Sequence, residues 1–117
     1  MLDTFIAYAL TVTKVDGFET EVPVDQGTTP GKVAGRSREG DTNTRTATIG
    51  GVERPVIDGG LHIPIGAPLP EIGWEYELVT LGPGTDPALL GRRWRVIDVP
   101  AKSRATARRL DVVEVPQ

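Results

Sequence analysis

The sequence predicts an all-β fold, a small β-barrel of about seven or eight short strands with one short helical turn and a long loop. Three observations lead there. The 117 residues are 38% hydrophobic and 25% charged, which suits one soluble domain with one core over residues 1–117. Fourteen glycines and ten prolines interrupt helices and mark frequent turns. Between those turns, apolar and polar residues alternate with the two-residue period of half-buried strands.

The first element is a hairpin from Ala7 to Val24, turning at Asp16-Gly17, a pair suited to a tight type I′ turn. Phe18, Val22 and Val24 share one face there, and Glu19, Glu21 and Asp25 the other, so the strand should be half buried. From Gln26 to Asn43 the composition shifts to Gly, Thr, Ser, Pro and charge, which predicts a long flexible loop at about 26–43 with a short strand at Lys32-Val33-Ala34. Thr44 to Ile49 is β-branched and should be a strand, turning at Gly50-Gly51 into Val52 to Ile57, where Pro55 marks a sheet edge.

Asp58-Gly59-Gly60 is expected to turn the chain again, ahead of a strand in which Leu61, Ile63 and Ile65 alternate with His62 and Pro64. Trp74, Tyr76 and Leu78 point one way in the next strand; Glu75 and Glu77 are expected on a solvated outer face. Asp86-Pro87 with Gly91 carries the cap signals of a short helical turn. Arg92 to Val99 and Ala105 to Val115 complete the sheet, the first with Trp94 and Val96 inward and Arg93 and Arg95 outward. The second is apolar on both faces, which predicts a bulge or an interface.

Several function classes find no footing in the residues. Cysteine is absent, which removes disulfides, thiolate catalysis and thiolate metal sites. Pro30-Gly31-Lys32-Val33 lacks the upstream glycine and the hydroxyl residue of a phosphate loop, and Gly82-Pro83-Gly84-Thr85-Asp86-Pro87 ends on proline where a dinucleotide loop needs glycine. His62 is the sole histidine, and neither Ser37 nor Ser103 sits in a nucleophile motif, so a catalytic triad or a metal site is not expected. Glu75 and Glu77 share a face as a glycosidase pair would, without a sugar-stacking groove. No apolar run reaches membrane-spanning length, and the start lacks a basic secretory segment, so the expectation is a protein made and used inside a cell.

Charge is the remaining signal. Net charge is −3, yet seven of thirteen Lys and Arg lie between Arg92 and Arg109. Such a cluster serves equally to neutralise phosphates or to pair with acidic surfaces of neighbouring subunits.

Three segments carry a resemblance: Gly60-Leu61-His62-Ile63-Pro64-Ile65, Gly91-Arg92-Arg93-Trp94-Arg95-Val96-Ile97-Asp98, and Lys102-Ser103-Arg104-Ala105-Thr106-Ala107-Arg108-Arg109-Leu110-Asp111-Val112. In order and spacing, over residues 31–115, they resemble the head-to-tail connector proteins (stopper or head-closure proteins) of long-tailed actinobacterial phages. The first thirty residues and Ser37 to Asn43 match only loosely, and no single motif is diagnostic. The resemblance implies β-barrel subunits that form a hexameric or dodecameric ring in the virion neck, assembled in the host cytoplasm. Such a ring lies between the portal or adaptor and the tail terminator, continues the channel of the packaged DNA and helps retain it.

It further implies no substrate and no cofactor, in line with the expectation from the residues of no catalysis, no metal and no membrane. In that setting Lys32, Arg36, Arg38 and Arg45 are candidates for reaching the channel or a neighbour from the loop region, and Arg92, Arg93, Arg95, Arg104, Arg108 and Arg109 for a subunit interface. The alternative is a small nucleic-acid-binding β-barrel that uses the arginine-rich end as its electrostatic footprint; an uncharacterised hydrolase is a third, less supported class.

Overall fold

A computed structural model describes residues 2–33, 46–49, 51–64, 66, 67, 69–99 and 107–115. Eight strands run in the order β1 Asp3–Val15, β2 Phe18–Val33, β3 Thr46–Ile49, β4 Val52–Pro55, β5 Ile57–Pro64, β6 Glu75–Thr80, β7 Arg93–Asp98 and β8 Ala107–Glu114, with a 3-10 turn at Pro87–Leu89. Six of them close a barrel in the order β1-β2-β5-β8-β7-β6, and β3 and β4 form a separate hairpin. The all-β expectation is met, although β1 and β2, at 13 and 16 residues, are not short.

Alternation builds the core. Phe5 and Ala7, Leu61 and Ile63, Tyr76 and Leu78, Trp94 and Val96, and Leu110 and Val112 form one buried cluster, each pair two residues apart on its strand. Phe5 lies edge-on to both Tyr76 and Trp94, with ring centroids 6.4 and 6.2 Å away. On β2 the barrel interior receives Thr29 and Gly31. A Cβ at Gly31 would come within 2.8 Å of the His62 carbonyl oxygen and 3.2 Å of the Phe5 ring, so only glycine lets β2 approach this closely.

Four segments depart from the sequence expectation, each for a physical reason. Residues 26–33 are not loop but the end of β2, because pairing with β1 continues from Thr28 to Gly31 across a bulge at Gln26 and Gly27. Asp58-Gly59-Gly60 is not a turn. It is a bulge inside β5, where Ile57 pairs with Val112 but Leu61 pairs with Leu110, and the Gly59 N–H donates to the Asp111 carboxylate at 2.8 Å. Glu75 is not solvated but buried, because arginines of β7 neutralise it. Phe18, Val22 and Val24 do share a face, but that face is exposed rather than half buried.

The last strand is apolar on both faces because it serves two cores. Leu110 and Val112 point into the barrel, while Val113, on the outer face, packs with Ile49 and Val56. A register shift between Val96 and Asp98 also bulges its pairing with β7. The helical turn forms as its caps predict: the Asp86 side chain accepts from the Ala88 N–H at 2.9 Å, and the Gly91 N–H donates to the Leu78 carbonyl at 2.8 Å. The remainder of the predicted loop, residues 34–43, and the Lys102 to Thr106 segment lie outside the described residues.

Pairing register defines two barrel ends. At one, β1 begins beside the end of β6, and β2 and β8 finish; at the other, β1 makes its last pairing with β6, Tyr8 opposite Glu75.

Candidate functional site

Among the described residues, β1 beyond Tyr8 has no strand other than β2 beside it, and β2 pairs with β5 only at Lys32 and Val33. The two strands therefore leave the barrel as a free ribbon, an arm of roughly 20 Å from Ala9 to Val15 at the usual strand rise. Its turn is the expected one, with Asp16 at φ 52° and Gly17 at φ 82°, the left-handed pair of a type I′ turn. At the arm's base the β2 bulge re-aims the ribbon, with Gly27 at φ 95° and its N–H donating to the Asp25 carboxylate at 2.6 Å.

The two faces of this arm differ in chemistry. Register places Ala9, Thr11, Thr13 and Val15 opposite Val24, Val22, Thr20 and Phe18, a face without a single charge. The opposite face carries Leu10, Val12 and Lys14 against Pro23, Glu21 and Glu19. An uncharged β face normally packs on another layer, yet Phe18 is 75% exposed and Val15 59%.

On the barrel wall nearby, Arg93 and Arg95 lie across from Glu77 and Glu75. Arg95 donates from Nε and Nη2 to one Glu75 oxygen at 3.0 and 2.7 Å, and its Nη2 also lies 3.5 Å from Glu21 of the arm. Arg93 reaches Glu77 at 3.0 Å and stacks over the Tyr8 ring at 4.7 Å. Burial, reinforced by the Glu77 carboxylate, pushes the Tyr8 phenol above its ordinary pKa. Arg92 pairs with Glu114 at 2.9 Å. Three of the six interface candidates are thus already neutralised within the chain.

A different cationic group emerges from the register. His62 of β5 pairs with Lys32 on one side and Arg109 on the other, which aligns three basic side chains across β2, β5 and β8. Among the described residues the ion pairs are made by Arg92, Arg93 and Arg95, not by Lys32 or Arg109. Burial, with the charges of Arg109 and Lys32 beside it, pulls the imidazole below its ordinary pKa, against a backbone hydrogen bond at Gly59. From sequence, Lys32 and Arg109 are candidates for separate roles and His62 for none; only the strand order makes them neighbours. Arg108 pairs with Ile63, its Nε buried and without a hydrogen-bond partner among the described residues. Arg36, Arg38, Arg45 and Arg104 lie outside the described residues.

The barrel end opposite the arm opens into a pocket of about 440 Å³, lined by apolar Val33, Ile57, Ala88, Leu89 and Trp94 and by Asp86, Arg92 and Glu114. Among the described residues no group of three or more His, Asp or Glu is placed to hold a metal ion, and no helix is long and apolar enough to cross a membrane.

Fold and surface together define a closed antiparallel barrel that carries a projecting two-stranded arm. Residues 1–113 match the family of unknown function DUF6093, and the chain belongs to that family. No curated protein and no solved structure matches it.

Proposed function

We propose that this protein is a structural subunit of a phage virion neck, a ring-forming barrel between the portal or adaptor and the tail terminator that continues the DNA channel and helps retain the packaged genome. The observation that carries the assembly part of this reading is the arm, whose uncharged face has no second layer among the described residues. Such a face is stable in water only at a cost that a partner's burial offsets. The neck itself is argued from the resemblance over residues 31–115. The test is electron microscopy of the purified protein mixed with portal, adaptor and terminator of the same phage. A closed ring in the neck is the expected result; a protein that stays monomeric and joins none of them overturns the proposal.

A second reading, a small nucleic-acid-binding barrel, is favoured by the Lys32, His62 and Arg109 row rather than by the paired arginines of β7. Its signature is salt-dependent binding of free duplex DNA that is lost in a Lys32→Ala, Arg109→Ala double variant and kept in Arg93→Ala. No binding at low salt dismisses it.

A further inference from the structure

We infer that the arm tip of one copy, Val15 with Phe18, seats in the pocket at the barrel end of a second copy. This deepens the assembly reading above, from which it takes the ring; the pairwise contact is argued from the chain itself. Phe18 is the most exposed large apolar side chain among the described residues, at 75%, and Val15 beside it is 59% exposed. The two are cross-strand partners next to the type I′ turn, so both project from the same face of a turn whose geometry is fixed. A flexible tip would lose more entropy on docking.

The receptor has the size, and five of its eight lining residues are apolar, the other three being Asp86, Arg92 and Glu114. An apolar cavity of roughly 150 Å³ is enough to hold benzene, so about 440 Å³ over Val33, Ile57, Leu89 and Trp94 accommodates a phenyl ring and an isopropyl group together. Ala88, exposed on the 3-10 turn, borders the opening.

Topology selects the occupant. The arm leaves the barrel where β1 passes Tyr8, at the end where β6 starts; the pocket is built from the last residue of β2, the first of β5 and the residues around the start of β7 and the end of β8, which is the other end. A chain cannot fill its own pocket with its own tip, but it carries both halves of one contact at opposite ends. Two different patches that complement each other make a head-to-tail interface, which closes into a ring when the rotation per subunit allows and grows into a filament when it does not.

The experiment uses the full chain in three forms: wild type, Phe18→Arg, which removes the tip, and Ala88→Trp, which fills the pocket. Both substitutions fall on exposed side chains, and circular dichroism is the check that each variant retains the barrel. Sedimentation up to millimolar concentration should show self-association of wild type and monomers for each variant alone. An equimolar mixture of the two variants should give dimers and nothing larger, because Phe18→Arg keeps an open pocket and Ala88→Trp keeps an intact tip. Phe18→Ala should weaken association roughly tenfold to a hundredfold. Wild type that remains monomeric at millimolar concentration, either variant associating as wild type does, or a mixture that stays monomeric overturns the inference. A neck ring into which Phe18→Arg enters normally would also overturn it and leave the proposed function standing, whereas tip-and-pocket dimers without any neck ring would do the reverse.

Discussion

Replacing Arg95 by Ala tests whether the arginine-rich strand is structural. Its partner Glu75 has a side chain only 6% exposed and takes both Arg95 hydrogen bonds on one oxygen, at 2.7 and 3.0 Å. With Arg95 gone, the nearest cation is the Arg93 guanidinium, 3.8 Å from the other oxygen and already engaged at 3.0 Å with Glu77. Stranding a buried charge by removing its partner costs about 3 to 5 kcal/mol. Arg95 itself is 23% exposed and water reaches that side of the pair, which brings the cost below that range, to about 2 to 3 kcal/mol. Arg92 is the internal control. Its pair with Glu114 has side chains 39% and 29% exposed, so Arg92→Ala should cost no more than about 1 kcal/mol.

Urea unfolding followed by tryptophan fluorescence measures both, and urea leaves ionic strength unchanged. A cycle with Glu75→Gln should return a coupling of at least about 1.5 kcal/mol for the Arg95 pair. If Arg95→Ala unfolds within about 0.5 kcal/mol of wild type, or no earlier than Arg92→Ala, the β7 arginines are not committed to the barrel. They would then again be candidates for an outside partner.

Alkaline pH should destabilise the barrel through Tyr76, whose burial pushes its phenol up to about 12. The folded pKa exceeds the unfolded one, so this contribution is fully present below pH 10 and is lost as pH rises from 10 towards 12, about 2 to 3 kcal/mol in all. Tyr76→Phe should abolish that component of the pH dependence in urea melts, and an unchanged profile would refute it. His62 acts with the opposite slope: its pKa is lowered on folding, so stability should fall as pH drops below the ordinary imidazole value of 6.5, an effect absent in His62→Gln. Gly31→Ala should cost about 1 to 3 kcal/mol through overpacking against the His62 carbonyl and Phe5; Gly66→Ala, in open space, should be neutral. Loss of hydrogen-exchange protection at Val33 and Leu61 would locate the Gly31 effect at the narrow β2 and β5 seam. Asp3→Ala should cost about 1 to 3 kcal/mol, since its buried carboxylate accepts from the Gly82 N–H and from the Thr85 hydroxyl at 2.7 Å.

The local features could be read because their causes are local. Asp16-Gly17 demands left-handed backbone whatever surrounds it, Asp86-Pro87 caps a turn by itself, and Trp94 and Val96 alternate with Arg93 and Arg95 because successive strand side chains point to opposite faces. That alternation sorts residues into two faces without saying what covers each. Alternation alone therefore predicts Phe18, Val22 and Val24 half buried, and they are exposed because the arm outruns every described strand that could pack on it. Glycine misled at Asp58-Gly59-Gly60 and at Gly27, since a left-handed residue can either reverse a chain or bulge a strand, and only the partner strand decides which.

By itself, then, the sequence determined the all-β class, the hairpin turn, the helical turn and the inward residues of most strands. Which arginines are neutralised, why Lys32, His62 and Arg109 form one row, and why the arm tip and the pocket lie at opposite barrel ends were decided by tertiary structure alone. Those facts depend on strand order, and strand order is set by pairings between residues as far apart in the chain as Tyr8 and Glu75, a relation that no short-range pattern records.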